Sequence, residues 1–231
     1  MSLCRAVLLL ALSVPAHADN LARITASLPD LASPPQGEAQ WVARSMRMNG
    51  LPMTLKTFES RLSPDAVLSH YESHASLAGS SEVRRSENPP WHVLMLKSRK
   101  YFITVHAREV TGGSEGTILV SPAPDPSVMN AKTSFPMLSS TRIVSLQQYD
   151  DDGSESEHIS LSSSREPFTE LQDFSQLLIR EGWVVVDTRP TVEMTRGFVL
   201  EVQRETEHAL LVIGPNAARP STTAIVIAWK K

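Results

Sequence analysis

His70 and His74 stand four residues apart in a stretch with helical spacing, the separation that lets two imidazoles share a metal ion. A metal-dependent enzyme built on them needs a third ligand. Glu72 falls on a different helix face and Glu59 is the other candidate carboxylate, while rim histidines bordering an apolar stripe account for the pair equally well. A serine nucleophile is the second chemistry to weigh, because His158 lies beside Ser160 to Ser164 and Ser139-Ser140 stands upstream. No Gly-x-Ser-x-Gly turn presents a hydroxyl, and a serine ahead of a helix is expected as its cap. The run from Asp150 to Glu157 offers oxygens for calcium, but its aspartates are contiguous where alternation would aim them inward, and the distal glutamate is out of register. The expectation is therefore a non-catalytic chain with no catalytic, cofactor-binding or metal residues. A periplasmic hydrolase or metal-dependent enzyme using His70, His74 or His158 is the alternative.

Aromatic and methionine side chains are the other candidates for contact chemistry. Trp41, Trp91, Trp183 and Trp229 border or enter predicted strands, and Met46, Met48 and Met53 gather about one predicted hairpin. Core packing explains such residues. Adaptable apolar side chains also suit a groove that takes an extended peptide or a lipid-like ligand, which makes Trp41, Met46, Met48, Met53 and Trp91 the contact candidates.

The elements that must position these residues occur twice. Asn49 to Gly79 reads as a two-residue turn, an alternating strand, a capped helix and a stop glycine, and Asp152 to Gly182 repeats it without a gap. Gly50 matches Gly153, Ser60 matches Ser163, Pro64 matches Pro167, Leu68 matches Leu171 and Tyr71 matches Phe174. Asn49-Gly50 is a strong hairpin signal, and Ser63-Pro64-Asp65 combines a cap, a first-turn proline and a favourable charge at a helix start. Strand candidates follow each helix. The expected fold class is α+β, two tandem units, each an antiparallel sheet covered by one helix. The expected boundaries are a signal peptide over 1–18, a flexible arm over 19–40, a first unit over 41–121, a proline-rich linker over 122–140 and a second unit over 141–231.

Glu181-Gly182-Trp183 closes the second helix and leads into strands. In this the chain resembles tandem-repeat secreted bacterial proteins of unknown function, built of small α+β units whose helix ends in Gly-Trp before antiparallel strands. Gly79-Ser80 departs from that pattern. The resemblance implies a fold and a compartment, and no site residues.

Arg5 followed by the apolar run Ala6 to Val14 and the small residues Ala16 and Ala18 reads as a signal peptide cleaved before Asp19. The run is shorter than the roughly 20 residues a membrane span needs. Cleavage removes Cys4, the single cysteine, so disulfides are excluded. A net charge of −3 provides no basic surplus for nucleic acid. The periplasm is the expected compartment, with release outside the cell as the alternative, and an envelope protein or peptide is the expected kind of partner.

Overall fold

The structure is a computed structural model that describes residues 18–73, 82–123, 132–151, 154–191 and 196–231. Asn49 and Gly50 have positive φ, 52° and 86°, as a type I′ turn requires, and join β1 (Gly37–Met48) to β2 (Leu51–Ser60). After β2, Ser63 opens α2 (Pro64–Ser73): its carbonyl accepts the Val67 N–H and its Oγ lies 3.4 Å from the Ala66 N. Val67, Leu68 and Tyr71 form the buried stripe of that helix. Four strands follow: β3 (Glu82–Asn88), β4 (Trp91–Lys97), β5 (Tyr101–Val110) and β6 (Gly113–Pro122). The Gly112-Gly113 pair contributes to the β5–β6 turn, whose two loop residues are Thr111 and Gly112 because Val110 pairs with Gly113.

The same order then recurs. β7 (Thr141–Asp151) and β8 (Ser154–Ser163) lead into α3 (Pro167–Arg180), followed by β9 (Val184–Pro190), β10 (Phe198–Arg204), β11 (Glu207–Asn216) and β12 (Arg219–Lys230). Gly182, at φ 84°, ends α3: its N–H bonds to Ile179 O and the Trp183 N–H bonds to Leu178 O. That pair of bonds is a Schellman stop, and Trp183 and Leu178 meet in the core as the motif prefers. Gly79, the expected stop of α2, lies outside the described residues.

The expectation of two units, each a sheet covered by one helix, is corrected by the strand pairing. All twelve strands of the described residues form one sheet, in the order β3-β4-β5-β6-β2-β1-β7-β8-β12-β11-β10-β9. Three short helices are described, counting α1 (Ala18–Ala26), so the fold is dominated by antiparallel strand. α2 contacts β4, β5 and β6, and α3 contacts β9, β10 and β11, while α1 lies against β1 and β2. Local turn and cap signals read each hairpin and helix, but nothing local tells a strand that its partner lies across the proline-rich stretch.

β1 and β7 are those partners. They pair over Met46↔Tyr149, Arg47↔Gln148 and Met48↔Gln147, a ladder far shorter than its neighbours. Register shifts between Trp41 and Ala43, between Ala43 and Met46, and between Ile143 and Ser145 break the strands beyond it. Asn49 extends the seam. Its N–H donates to Leu146 O at 2.8 Å, and its Oδ1 accepts the Leu146 N–H at 2.9 Å. One turn residue thus supplies a backbone-like donor and acceptor to the strand across the seam.

One core joins α2 to Phe58, Leu94, Leu96, Ile103, Val105, Ile118 and Val120. A second joins α3 to Ile159, Leu200, Leu211, Ile213, Ile225, Ile227, Trp183 and Trp229. Segments expected to be loose take part in both. Leu28 and Leu31 pack on the first core, and the arm is tied down where Tyr71 Oη donates to Ala32 O at 2.9 Å, Lys56 Nζ to Leu31 O at 2.9 Å and Ser60 Oγ to Pro35 O at 2.9 Å. Phe135, from the proline-rich stretch, is buried against Trp183 and Trp229 with ring centroids 5.6 and 5.3 Å away.

Asn49→Gly keeps the positive φ of the turn and removes the acceptor for Leu146 N–H. Urea unfolding should show a loss of about 1 kcal/mol, the net worth of one such bond. Asn49→Ala should cost more, since alanine also resists positive φ. Equal stability in all three chains would show that the seam does not rely on this side chain.

Candidate functional site

The residues singled out by chemistry are scattered. His70 lies on α2 with its ring 5.2 Å from Tyr71, and His74 lies outside the described residues. His158 is on β8, on the face away from α3, where its ring meets Tyr149 at 5.5 Å. Among the described residues no group of three or more His, Cys, Asp or Glu is placed to hold a metal. Asp150 and Glu155 are cross-strand partners in the β7–β8 hairpin, whose tip, residues 152 and 153, is not described.

Ser140 and Ser163 point at a carboxylate rather than at His158. Ser163 Oγ donates to Glu170 Oε1 at 2.6 Å, Ser140 Oγ lies 3.4 Å from Glu170 Oε2, and Glu170 is completely buried at the start of α3. Glu157, 2% exposed, accepts from Thr133 at 2.6 Å, Gln148 at 3.1 Å and the Lys231 ammonium at 3.0 Å. These carboxylates fasten the segment before β7 and residue Lys231 to the sheet. Glu170 was missed in the sequence and Glu157 was read only as the end of an acidic run, because burial of a charge is decided by partners far along the chain.

The contact candidates divide among three places. Met46, Met48 and Met53 come together with Leu51, Leu55, Leu119 and Tyr149, and Met46 is fully buried, so they form a small core at the seam. Trp41 is the cross-strand partner of Lys56, on the face that carries α2, with the Lys56 and Arg44 cations 4.3 and 4.6 Å from its ring. Trp91 lies on the other face, with Arg108 5.1 Å from its ring, and lines a cleft of about 430 Å³ with Glu38, Glu59 and Glu115. Arg108 binds Glu115 through Nε at 2.7 Å. A second cleft, of about 450 Å³, runs between the arm and α2 and is lined by Leu31, Tyr71, Leu96 and Ile103.

Titration follows these surroundings. Burial raises the Tyr71 phenol above its ordinary range and lowers the His106 imidazole. Burial alone would lower Lys231, but hydrogen bonds and charges from Glu157 and Glu155 outweigh it and raise the ammonium.

The sharpest contrast lies at the two ends of the sheet. β3 and β9 hold the same place in the repeated order, and among the described residues each has one strand neighbour. β3 carries Glu82, Arg84, Arg85 and Glu87, and Arg85 is turned back on α2, with Nε 2.8 Å from Glu72 Oε2 and a further bond of 2.9 Å to Ser69. Lys97 reaches Glu82 at 3.6 Å. Charges of this kind blunt an edge against further pairing. β9 carries an ion pair of its own, Asp187–Arg189, and a bulge at Val186, but it exposes more apolar surface: Val184 and Val186 are 66% and 56% exposed against 40% for Val83 on β3, and α3 adds Ile179 and Phe168, 57% and 55% exposed. No family model, curated protein or solved structure matches the chain.

A group whose folded pKa is raised contributes stability that is complete below its unfolded value and is lost as pH rises through the folded value. The advantage of the native chain over Lys231→Met in urea unfolding should therefore hold steady through neutral pH and shrink above about 10.4, the ordinary lysine value. An advantage unchanged at pH 11 would show that the ammonium charge is not what holds Glu157.

Proposed function

We propose that this protein is a non-catalytic binding or assembly accessory of the bacterial envelope, working in the periplasm and meeting its partner at the free edge of β9. The observation that carries the reading is the difference between two edges of equal topological rank. Charged side chains tie β3 to α2 and β4, whereas β9, which carries its own Asp187–Arg189 ion pair and ends in Pro190, exposes Val184 and Val186 next to the exposed Phe168 and Ile179 of α3. An edge in that state is a template for an added strand: main-chain bonds supply affinity, and alternate side chains supply choice. An edge flanked by exposed apolar side chains is also a hazard for aggregation, so their retention on β9 and α3 supports use. The polar clusters support the same reading, since Glu157 and Glu170 are taken up by fixed partners inside the fold. Among the described residues no helix is long and apolar enough to cross a membrane.

Site-specific photocrosslinking in living cells tests the reading. A photoreactive residue at Val186 should give an adduct with a polypeptide, either another protein or a second copy. The same residue at Val83 on β3 should give none. Adducts from both positions, or from neither, would contradict the assignment of β9 as the contact edge.

A further inference from the structure

Resting on that reading of β9, we infer that the strand added to this edge is β9 of a second copy, aligned antiparallel about a two-fold axis through Thr188. The side chains of the strand are complementary to themselves in this register. Asp187 and Arg189 lie on one face of β9 and already form an ion pair within the strand. Placing Thr188 opposite Thr188 sets Asp187 of each copy against Arg189 of the other, twice over. Centring the pair one residue earlier would put Asp187 against itself, and like charges directly opposite are destabilising. A two-fold contact closes on itself, so it removes the hazard of an open edge without starting a filament.

The chain joins sheet to sheet in this manner internally. β1 and β7 hold matching places in the repeated order and meet edge to edge, antiparallel. On β3 the exposed charges of Arg84, Arg85 and Glu87 disfavour an equivalent contact.

Directly opposed residues of antiparallel strands have Cα atoms about 4.5 to 5.5 Å apart, within the span of a disulfide. Cys4 is the single native cysteine, so Thr188→Cys in a Cys4→Ser background places one thiol per chain. Air oxidation should link two copies through Thr188→Cys, while Ser86→Cys on β3 should stay unlinked. Sedimentation equilibrium of the unmodified chain should show a dimer. Asp187→Arg should raise its dissociation constant about tenfold or more, and adding Arg189→Asp should restore it. Circular dichroism confirms that each variant is folded, and the Cys4→Ser chain carries the test where a charge reversal is not. A dimer insensitive to these substitutions overturns the inference. A monomer at every concentration overturns it too. In that case an adduct from Val186 to a different protein leaves β9 standing as the contact edge, and the absence of any adduct removes both readings.

Discussion

The contact between Asn49 and Leu146 is where two stretches of similar sequence become one sheet. A type I′ turn needs a residue that accepts positive φ, and asparagine does so while keeping a polar side chain free. Here the side chain and the backbone N–H of that residue both bond to β7. Only three further residue pairs hold β1 to β7, and shifts of register on both strands bend the chain away beyond them. A ladder this short needs apolar help, and Met46 and Met53 supply it, with Leu51, Leu55, Leu119 and Tyr149 closing round them. The methionines that suggested a ligand groove are the packing of the seam.

Joining the halves through β1 and β7 decides what is left outside. β1 and β7 become central strands, and β3 and β9 become the two ends of the sheet. The ends are treated differently. Arginine and glutamate side chains on β3 reach α2 and β4, whereas β9, with an ion pair only within itself, keeps exposed valines on the strand and exposed Phe168 and Ile179 on the helix beside it. The proposed contact uses backbone and apolar side chains at a sheet edge rather than a constellation of reactive groups.

Much of the local structure was legible in the residues, for definite reasons. Asn49-Gly50 forms a turn because both residues accept positive φ. Gly182 ends α3 for the same reason, and the spacing of Leu171, Phe174 and Leu178 places them on the buried stripe. What was not legible depends on contacts distant in sequence. Glu157 and Glu170 are buried because Thr133, Lys231, Ser140 and Ser163 converge on them. Phe135 sits among prolines yet packs between two tryptophans. Trp41 and Trp91 were grouped with the methionines, but cross-strand pairing puts Trp41 beside Lys56 under the arm and Trp91 beside Arg108 on the opposite face. The charged composition of β3 and the valines of β9 were in view from the start; that these strands are the ends of one sheet was not.

Amide hydrogen exchange at Asn49 and Leu146 tests the single sheet most directly. Both N–H groups belong to a turn and a neighbouring strand that would face solvent if the halves were merely tethered. With the halves joined, the two amides should exchange about as slowly as those of β5 and β11 in the cores, through unfolding of the whole sheet. Exchange at the rate of an open turn, with the core amides still protected, would contradict the seam and the account built on it.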